Sequence, residues 1–241
     1  MGSTLVILSA NQQLIIENRP LSPLQRDACC VKIINVGVCS SDISRAFSNG
    51  AYFYPLVMGH EMAGEIVALG QDVTQYKIGD KVAVFPLLPC FKCVACQQES
   101  YQQCQDYGYY GSRQDGAYTE YLNVKAWNLL PIPNHISLAD AALIEPLAVV
   151  LHAIKRAKLL VEEKPMSIAI LGAGFLGLLM ACILSKKAPH LRVSLFDRNE
   201  FKLQIGKHYA HETWLVKTTS EWQKILERKK KTYHSPYARV R

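Results

Sequence analysis

Four cysteines within fifteen residues follow the spacing C-x2-C-x2-C-x7-C: Cys90, Cys93, Cys96 and Cys104. Two residues between thiolates allow a tight turn to direct both sulfurs at one ion, and a fourth ligand from a longer loop completes a tetrahedron. The chain has eight cysteines and no secretory signal, which favours metal ligation over disulfides. Because four thiolates leave no open position for a substrate, the pattern predicts a structural zinc site.

An iron–sulfur cluster is the main alternative for these cysteines, because the first three share the ferredoxin spacing. That pattern needs a fourth cysteine after three residues, with a proline behind it, whereas Cys104 follows after seven residues and precedes Gln105. Unrelated free thiols are the other alternative, but four cysteines in so short a segment rarely occur without a metal. Zinc is therefore favoured.

A second set of candidate ligands is dispersed over three short motifs, Gly37–Asp42, Gly59–Glu61 and Glu145-Pro146. Together they supply thiolate, imidazole and carboxylate groups, the mixed set that a catalytic zinc uses when one position must stay open. Their spacing alone does not identify a site. Taken singly, His60-Glu61 is equally well an exposed pair on a turn, and Cys39 is more often a small buried hydrophobe.

A glycine turn typical of dinucleotide binding follows the apolar run Met166–Leu171 and opens a long apolar stretch. In this setting one glycine makes the tight turn, the next lets the backbone approach a pyrophosphate, and the third lets the helix pack on the sheet. The negative phosphates would face the positive end of the helix. The candidate contacts are Gly172, Gly174, Phe175, Leu176 and Gly177.

Asp197 lies 20 residues beyond Gly177, at the end of the next predicted strand. Its carboxylate can accept hydrogen bonds from the ribose hydroxyls of NAD and would repel the extra phosphate of NADP. Arg198 beside it weakens this preference, because an arginine can accommodate a 2′-phosphate. A glycine turn in a fold that binds no nucleotide is the alternative. The sequence predicts NAD as cofactor.

The elements that must position these groups fall into two parts. Residues 28–130 contain short β-type runs separated by Gly, Pro and Asp, among them 31–36, 64–69 and 80–85, which predict a β-rich, barrel-like domain. After Ser137 the pattern changes to helix-forming runs at 139–143 and 146–159. A strand at 166–171, a helix to about Lys187, a strand at 192–196, a helix from Asn199 and a strand at 213–216 then follow in βαβαβ order.

In the order and approximate spacing of these motifs, nearly all of residues 1–217 resemble the zinc-containing medium-chain alcohol dehydrogenases. The likeness is to the branch that oxidises polyols. The family implies a β-rich GroES-like catalytic domain over residues 1–152 and a partial α/β Rossmann domain over residues 153–241. Segments 49–55, 86–91 and 111–116 are similar to polyol-phosphate dehydrogenases of that branch. Ser40 and Gln114 depart from the usual residues.

The resemblance also implies roles for individual residues. Cys39 and His60 would bind the catalytic zinc, and Glu61 and Glu145 would complete or exchange within its ligand set. Ser41 would begin the proton relay, and Asp42 would orient His60. The implied cofactors are two zinc ions per chain and NAD.

The implied substrate is a polyol or polyol phosphate, whose secondary alcohol would give a hydride to NAD. Tyr52, Phe53 and Tyr54 are candidates for a substrate wall, although such clusters are at least as often core. Arg45 and Arg113 are candidate phosphate or polyol contacts, with a solvated surface role as the alternative. An inactive zinc-binding remnant of such an enzyme is the competing functional hypothesis.

The charge distribution argues against nucleic acid as a partner. Most of the net charge of +7 lies in residues 217–241, which contain eight Lys and Arg residues and only two acidic residues, Glu221 and Glu227. The segment between Cys90 and Cys104 has only Lys92 as a base. The sequence has no apolar run long enough to span a membrane and no signal sequence, so we expect a cytoplasmic protein.

The family also implies a longer enzyme that forms homo-oligomers, an expectation that we do not extend to this chain. Three further strands and the nicotinamide half of the cofactor domain have no counterpart here, so we expect a shortened form with an uncovered sheet edge and little activity of its own. Family-like patterning reaches about Glu227 and gives way to Arg228–Lys231 and an unpatterned basic end. A reading-frame slip within this lysine run is the explanation we consider.

Overall fold

The computed structural model describes residues 2–160, 165–232 and 238–239. The chain divides into two compact units, residues 1–145 and 146–241.

The first unit is built mainly from strands. They are β1 (Gly2–Ala10), β2 (Gln13–Pro20), β3 (Ala28–Val36), β4 (Leu56–Val57), β5 (Met62–Leu69), β6 (Lys81–Val84), β7 (Leu87–Leu88), β8 (Gly108–Tyr109), β9 (Tyr121–Lys125) and β10 (Leu129–Pro131). Three sheets result, in the orders β2-β1-β4, β10-β6-β5-β3-β9 and β7-β8. Pairing in them is antiparallel. The predicted β-rich domain and its runs at 31–36, 64–69 and 80–85 are therefore confirmed.

The core of this unit lies along the five-stranded sheet. Side chains alternate across a strand, so a strand with one buried face needs apolar residues at every second position. Val31, Ile66, Val82 and Val124 lie on neighbouring strands and are fully buried. Tyr110, 1% exposed, packs into the same cluster. This core fixes the strand ends from which the candidate ligands project.

Short helices connect these strands: α1 (Ser40–Phe47), α2 (Val94–Gln97) and α3 (Leu138–Ala141), with 3₁₀ turns at Tyr101–Gln103 and Ala126–Asn128. Cys39 lies between the end of β3 and the start of α1, and His60 and Glu61 lie between β4 and β5. Strand order thus brings residues distant in sequence to one end of the unit.

The second unit is an α/β structure. The helix α4 (Ile144–Arg156) spans the boundary, with Ile144 and Glu145 still in the first unit. The other elements are β11 (Met166–Leu171), α5 (Phe175–Lys187), β12 (Leu191–Asp197), α6 (Glu200–Gly206), β13 (Glu212–Leu215), α7 (Thr219–Thr232) and β14 (Ala238–Arg239). The strands are parallel in the order β13-β12-β11-β14. Ile168, Leu184, Val193 and Leu195 form the centre of its core. The predicted βαβαβ order is confirmed.

The end of the chain differs from the sequence-based expectation. Family-like patterning was expected to reach about Glu227, which stays a prediction; the helix α7 runs to Thr232, since its lysines, glutamates and arginine are good helix formers. The sheet edge at β11 was expected to be uncovered, but Ala238–Arg239 pairs with Ile168 and Ala169. An open edge offers unpaired N–H and C=O groups to any segment that reaches it. The rest of the predicted unpatterned end, residues 233–237 and 240–241, lies outside the described residues.

Candidate functional site

The four cysteines of the 90–104 loop come together in the structure. Their sulfur atoms all lie within 4.8 Å of one another, and the Cys90–Cys96 and Cys93–Cys104 sulfur pairs are each 4.0 Å apart. A tetrahedral zinc with bonds of about 2.3 Å places its sulfurs about 3.8 Å apart. All four thiols are free of disulfides. The donor set and its dimensions fit a zinc ion.

Backbone N–H groups of the loop stabilise negative charge on two of these sulfurs. N–H groups of Gln105 and Cys96 lower the pKa of Cys93 to about 6, and those of Lys92 and Cys93 lower the pKa of Cys90. Burial and the neighbouring thiols raise the pKa of Cys96 to about 12. The backbone N–H groups compensate negative charge on only two of the four sulfurs, so four thiolates so close together are unfavourable. A divalent cation bound by this loop would compensate the remaining charge.

A second, mixed group consists of Cys39, His60 and Glu61, whose ligand atoms also lie within 4.8 Å of one another. His60 and Glu61 are only 6% and 8% exposed. The interpretation of this pair as an exposed turn is therefore wrong. These are the only two groups of three or more such ligands within the described part of the chain.

Cys39 is held at the start of α1. The N–H of Cys39 donates to Asp42 Oδ2 at 3.2 Å, and its carbonyl accepts from Asp42 N at 3.0 Å. A carboxylate at the third helical position that reaches back to the N-cap residue is a recurrent helix start. This local structure fixes the backbone from which the Cys39 thiol projects.

Asp42 is the polar centre behind His60. It is 2% exposed, and its Oδ1 lies 3.5 Å from His60 Nδ1 and accepts a hydrogen bond from Arg45 at 3.0 Å. The hydroxyl of Tyr118 donates to Asp42 Oδ2 at 3.1 Å. Burial raises the pKa of Asp42, but His60, the Cys39 N–H and Tyr118 outweigh it and lower that pKa. Asp42 is therefore held as an anion.

His60 is buried beside that anion. Burial lowers its pKa, yet Asp42 and Cys39 together raise the pKa of His60 to about 9. Nδ1 of His60 is buried without a hydrogen-bond partner at ordinary length. An imidazole with a carboxylate on one side and a thiol on the other has the arrangement of a histidine metal ligand with its orienting partner.

Glu61 is positioned by a glycine. A Cβ atom at Gly37 would overlap Oε2 of Glu61, and the Gly37 N–H donates to the Glu61 carbonyl at 2.7 Å. Burial raises the pKa of Glu61, and the nearby charges of Glu145 and Asp42 act in the same direction. A cation in the site would relieve this repulsion.

Three glycines support the turn that carries His60. Gly59 has φ +93, and Gly111 has φ +78. A Cβ at either Gly111 or Gly116 would overlap the backbone of Gly59. The Ala117 N–H donates to the Gly59 carbonyl at 2.9 Å. Such close approach of backbones requires residues without side chains.

Glu145, the fourth expected ligand, lies outside the mixed group. Its Oε1 accepts a hydrogen bond from the hydroxyl of Tyr109 at 3.0 Å. The ring of Tyr109 makes an edge contact with His60, with centroids 5.8 Å apart. Ligation by Glu145 stays a prediction.

The remaining candidates of this unit differ in their surroundings. Ser41 is half-buried in the first turn of α1, and its relay role stays a prediction. Arg45, considered for phosphate, is instead paired with Asp42. Tyr52, Phe53 and Tyr54 are 69%, 40% and 38% exposed, so they are not core.

The guanidinium of Arg113 lies between two tyrosine rings. Its central carbon is 4.5 Å from the ring centroids of both Tyr52 and Tyr107. Flat contact with aromatic faces holds a guanidinium while leaving its N–H edge open. Arg113 is therefore an exposed, oriented cation.

The glycine turn of the second unit has the predicted form. Gly172 has φ +104, Gly174 precedes α5, and a Cβ at Gly177 would overlap the Gly172 carbonyl oxygen. A Cβ at Gly172 or Gly174 would meet nothing within 4 Å, which leaves room for a ligand. Phe175 and Leu176 begin α5, 51% and 45% exposed. These features suit a pyrophosphate against the helix start.

Asp197 closes the other side of this turn. Its two carboxylate oxygens accept from Ala173 N at 2.6 Å and Asn199 N at 2.7 Å. Burial raises the pKa of Asp197, but these N–H groups outweigh it and lower that pKa. Arg198 beside it is exposed. The structure brings the glycine turn and Asp197 together, as expected for a ribose-binding carboxylate.

Sequence reasoning missed Tyr109 and Tyr118. Tyr109 ends β8 and Tyr118 lies just before β9, and neither residue belongs to a ligand motif. The available signal was the pair Gly111 and Gly116. Two glycines so close together, beside tyrosines, indicate a turn that packs closely against another part of the backbone.

Comparison with known proteins agrees with the geometry. Residues 25–134 match the alcohol dehydrogenase GroES-like domain family. Galactitol 1-phosphate 5-dehydrogenase of Escherichia coli (strain K12) is 41% identical over 186 residues, which are 77% of this chain and 52% of that protein. Sorbitol dehydrogenase of Bacillus subtilis (strain 168) is 34% identical over 207 residues, 83% of this chain and 57% of that protein. The chain thus spans little more than half the length of these relatives.

Solved structures give the same result. The crystal structure of galactitol-1-phosphate dehydrogenase from Escherichia coli has a TM-score of 0.84 and 34% identity, covering 93% of this chain and 65% of that one. A zinc-binding dehydrogenase from Sinorhizobium meliloti 1021 bound to NADP has a TM-score of 0.82, 25% identity and coverage of 89% and 62%. An alcohol dehydrogenase from Escherichia coli CFT073 complexed with NADH has a TM-score of 0.85 and 26% identity, and the match covers 95% of this chain and 66% of that one.

These comparisons confirm the fold class, a GroES-like domain followed by a partial Rossmann-type sheet. They also include galactitol-1-phosphate dehydrogenase, the enzyme to which segments 49–55, 86–91 and 111–116 pointed. No described helix is long and apolar enough to cross a membrane.

Proposed function

We propose a function from the family to which this chain belongs, the zinc-dependent medium-chain alcohol dehydrogenases in their polyol dehydrogenase branch. In this proposal the chain takes part in the oxidation of a secondary alcohol of a polyol or polyol phosphate, with NAD as the hydride acceptor. Residues 1–152 supply the catalytic domain and residues 153–241 the adenosine-binding half of the cofactor domain. The observation that carries the proposal is the mutual approach of Cys39, His60 and Glu61 within 4.8 Å.

In this proposal Cys39, His60 and Glu61 hold the catalytic zinc, and the four-cysteine loop holds a second, structural one. A bound zinc acts as a Lewis acid that lowers the pKa of an alcohol. Other side chains of the protein orient these metal ligands. Asp42 orients His60 from behind, and Arg45 and Tyr118 each donate a hydrogen bond to Asp42. Ser41, beside Asp42, would begin the proton relay: its hydroxyl would accept the proton that the alcohol loses while passing its own proton on toward solvent.

The cofactor preference follows from the glycine turn and Asp197. The turn Gly172–Gly177 leaves room for a pyrophosphate at the start of α5. Asp197, fixed by the Ala173 and Asn199 N–H groups, keeps its carboxylate charged and available to ribose hydroxyls. Each oxygen retains a further lone pair for such a bond. The same charge disfavours a 2′-phosphate.

A phosphorylated polyol is the favoured substrate class. Arg113 presents a guanidinium between Tyr52 and Tyr107, and no carboxylate partner is found for it among the described residues. A guanidinium held by its faces offers its N–H edge to phosphate oxygens. The name of the 41% identical relative contains a polyol phosphate, which agrees with this assignment.

A turnover assay tests the proposal. The purified chain, reconstituted with zinc, is mixed with NAD and a panel of polyols and their phosphates, and NADH formation is followed. We expect slow NADH formation, in line with the little activity expected of this chain; it should require zinc, and Cys39→Ser should abolish it. Cys182→Ser, at a half-buried thiol outside both ligand groups, is the matched control and should retain the rate. Absence of turnover in chains carrying both zinc ions would contradict the proposed activity and favour a zinc-binding remnant.

A further inference from the structure

Tyr109 touches two members of the candidate zinc site. Its hydroxyl donates to Glu145 Oε1 at 3.0 Å, and its ring meets the His60 ring edge-on. The hydroxyl is the donor of this bond, because an ionised carboxylate can only accept. Tyr109 lies at the site although no ligand motif contains it.

The backbone of Tyr109 cannot move readily. Tyr109 pairs with Leu87 in the sheet of β7 and β8. Its carbonyl accepts hydrogen bonds from the N–H groups of Arg113 and Gln114 at 3.0 and 3.2 Å. A side chain projecting from so constrained a backbone holds its hydroxyl in one place.

Glu145 is close enough to affect the ligands without joining them. The side chain of Tyr109 contacts both the Glu145 carboxylate and the ring of His60, so a single side chain separates Glu145 from a candidate ligand. Yet the group whose ligand atoms all approach within 4.8 Å comprises Cys39, His60 and Glu61. A second carboxylate in that group would fill the position that the alcohol needs.

We propose that Tyr109 is a positioning residue that holds Glu145 out of the inner coordination shell of the catalytic metal and so keeps one position open for substrate. The inference rests on the proposed function, because it takes Cys39, His60 and Glu61 as the ligands. It assigns the Tyr109–Glu145 hydrogen bond a role in deciding which group occupies the fourth position of the metal. Without that bond, Glu145 becomes a fourth protein ligand.

Cobalt substitution tests this role without an activity measurement. Co²⁺ replaces the metal of the mixed site in the full chain, and its visible d–d absorption is recorded, since these bands shift when one ligand replaces another. In Tyr109→Phe we expect d–d bands shifted from those of the parent, because a carboxylate replaces solvent at the open position, and severalfold tighter Co²⁺ binding in competition with a chelator. Tyr110→Phe, which removes the neighbouring hydroxyl near Lys125 N, should leave both unchanged.

Two further variants make the test specific to Glu145. Glu145→Gln alone should retain the parent spectrum, because the proposal places this side chain outside the inner shell. The double variant Tyr109→Phe, Glu145→Gln should restore that spectrum, since an amide is a poor ligand. Identical spectra and affinities for the parent and Tyr109→Phe would overturn the inference, as would an altered spectrum in Glu145→Gln. Failure of Cys39→Ser to lose the cobalt would instead overturn the proposed site itself.

Discussion

Asp42 Oδ1 lies 3.5 Å from Nδ1 of His60, with both side chains almost completely buried. A buried carboxylate behind a histidine ligand fixes the ring and raises its basicity. We therefore predict that Asp42→Asn weakens zinc binding at the mixed site by about 10- to 100-fold. Chelator competition measures this directly.

The control for Asp42→Asn is Asp72→Asn, which removes a surface carboxylate paired with Arg26. It should bind both zinc ions as the parent does. Retention of zinc by the four-cysteine loop would show that Asp42→Asn is folded. An unchanged zinc affinity in folded Asp42→Asn would remove Asp42 from the account of the site.

We propose that cofactor choice depends on Asp197. In the proposed site its negative charge lies where a second phosphate would be placed, so Asp197→Ala should reduce the preference for NAD over NADP by roughly tenfold, about 1.4 kcal/mol, or reverse it. Titration of both dinucleotides, followed by intrinsic fluorescence, gives the ratio of dissociation constants. Glu200→Ala, at an exposed carboxylate in the first turn of α6, should leave the ratio unchanged. Equal affinity of the parent for both dinucleotides would mean that Arg198 outweighs Asp197.

The same carboxylate makes stability depend on pH. The pKa of Asp197 is lowered in the folded state, so its contribution is complete above its unfolded value of about 3.9 and is lost as the pH falls through the folded value. Asp197→Asn should therefore lower the free energy of unfolding at neutral pH. The difference from the parent should shrink on acidification below about pH 4. Urea unfolding at a series of pH values checks this; a difference that grows toward acid would refute it.

Substrate phosphate is assigned to Arg113. Charged hydrogen bonds contribute about 1.5–3 kcal/mol, so Arg113→Gln should lower kcat/KM for a polyol phosphate by about 10- to 100-fold. The value for the unphosphorylated polyol should change little. Arg26→Gln, at an exposed arginine of another loop, is the control. Equal losses for both substrates would show that Arg113 has only a structural role.

Local patterns made much of this structure predictable. Four cysteines in fifteen residues predict their own cluster, because two residues between cysteines allow tight turns that direct the sulfurs at one point. The strand at Met166–Leu171 and the helix ending at Lys187 follow from continuous apolar runs that are bounded by a breaker and by glycines. In the second unit, adjacent elements in sequence are also neighbours in space.

The parts that were missed depend on distant pairs. Gly111 packs on Gly59, and Tyr118 reaches Asp42, across 52 and 76 residues respectively. No local period reports such contacts, because each joins residues from segments that are far apart in sequence. The position of Glu145 depends on a tyrosine 36 residues earlier. Residue types therefore predicted the ligands, while tertiary packing decided what orients them.

The number and placement of zinc ions test the central claim most directly. Metal analysis of the parent chain should give two zinc ions. Cys39→Ser should lose one while remaining folded, and Cys93→Ser should lose the other with a marked loss of stability, since structural zinc contributes folding free energy. Circular dichroism and thermal unfolding of the same samples report the fold. Iron, or a single zinc in fully loaded parent protein, would contradict the account.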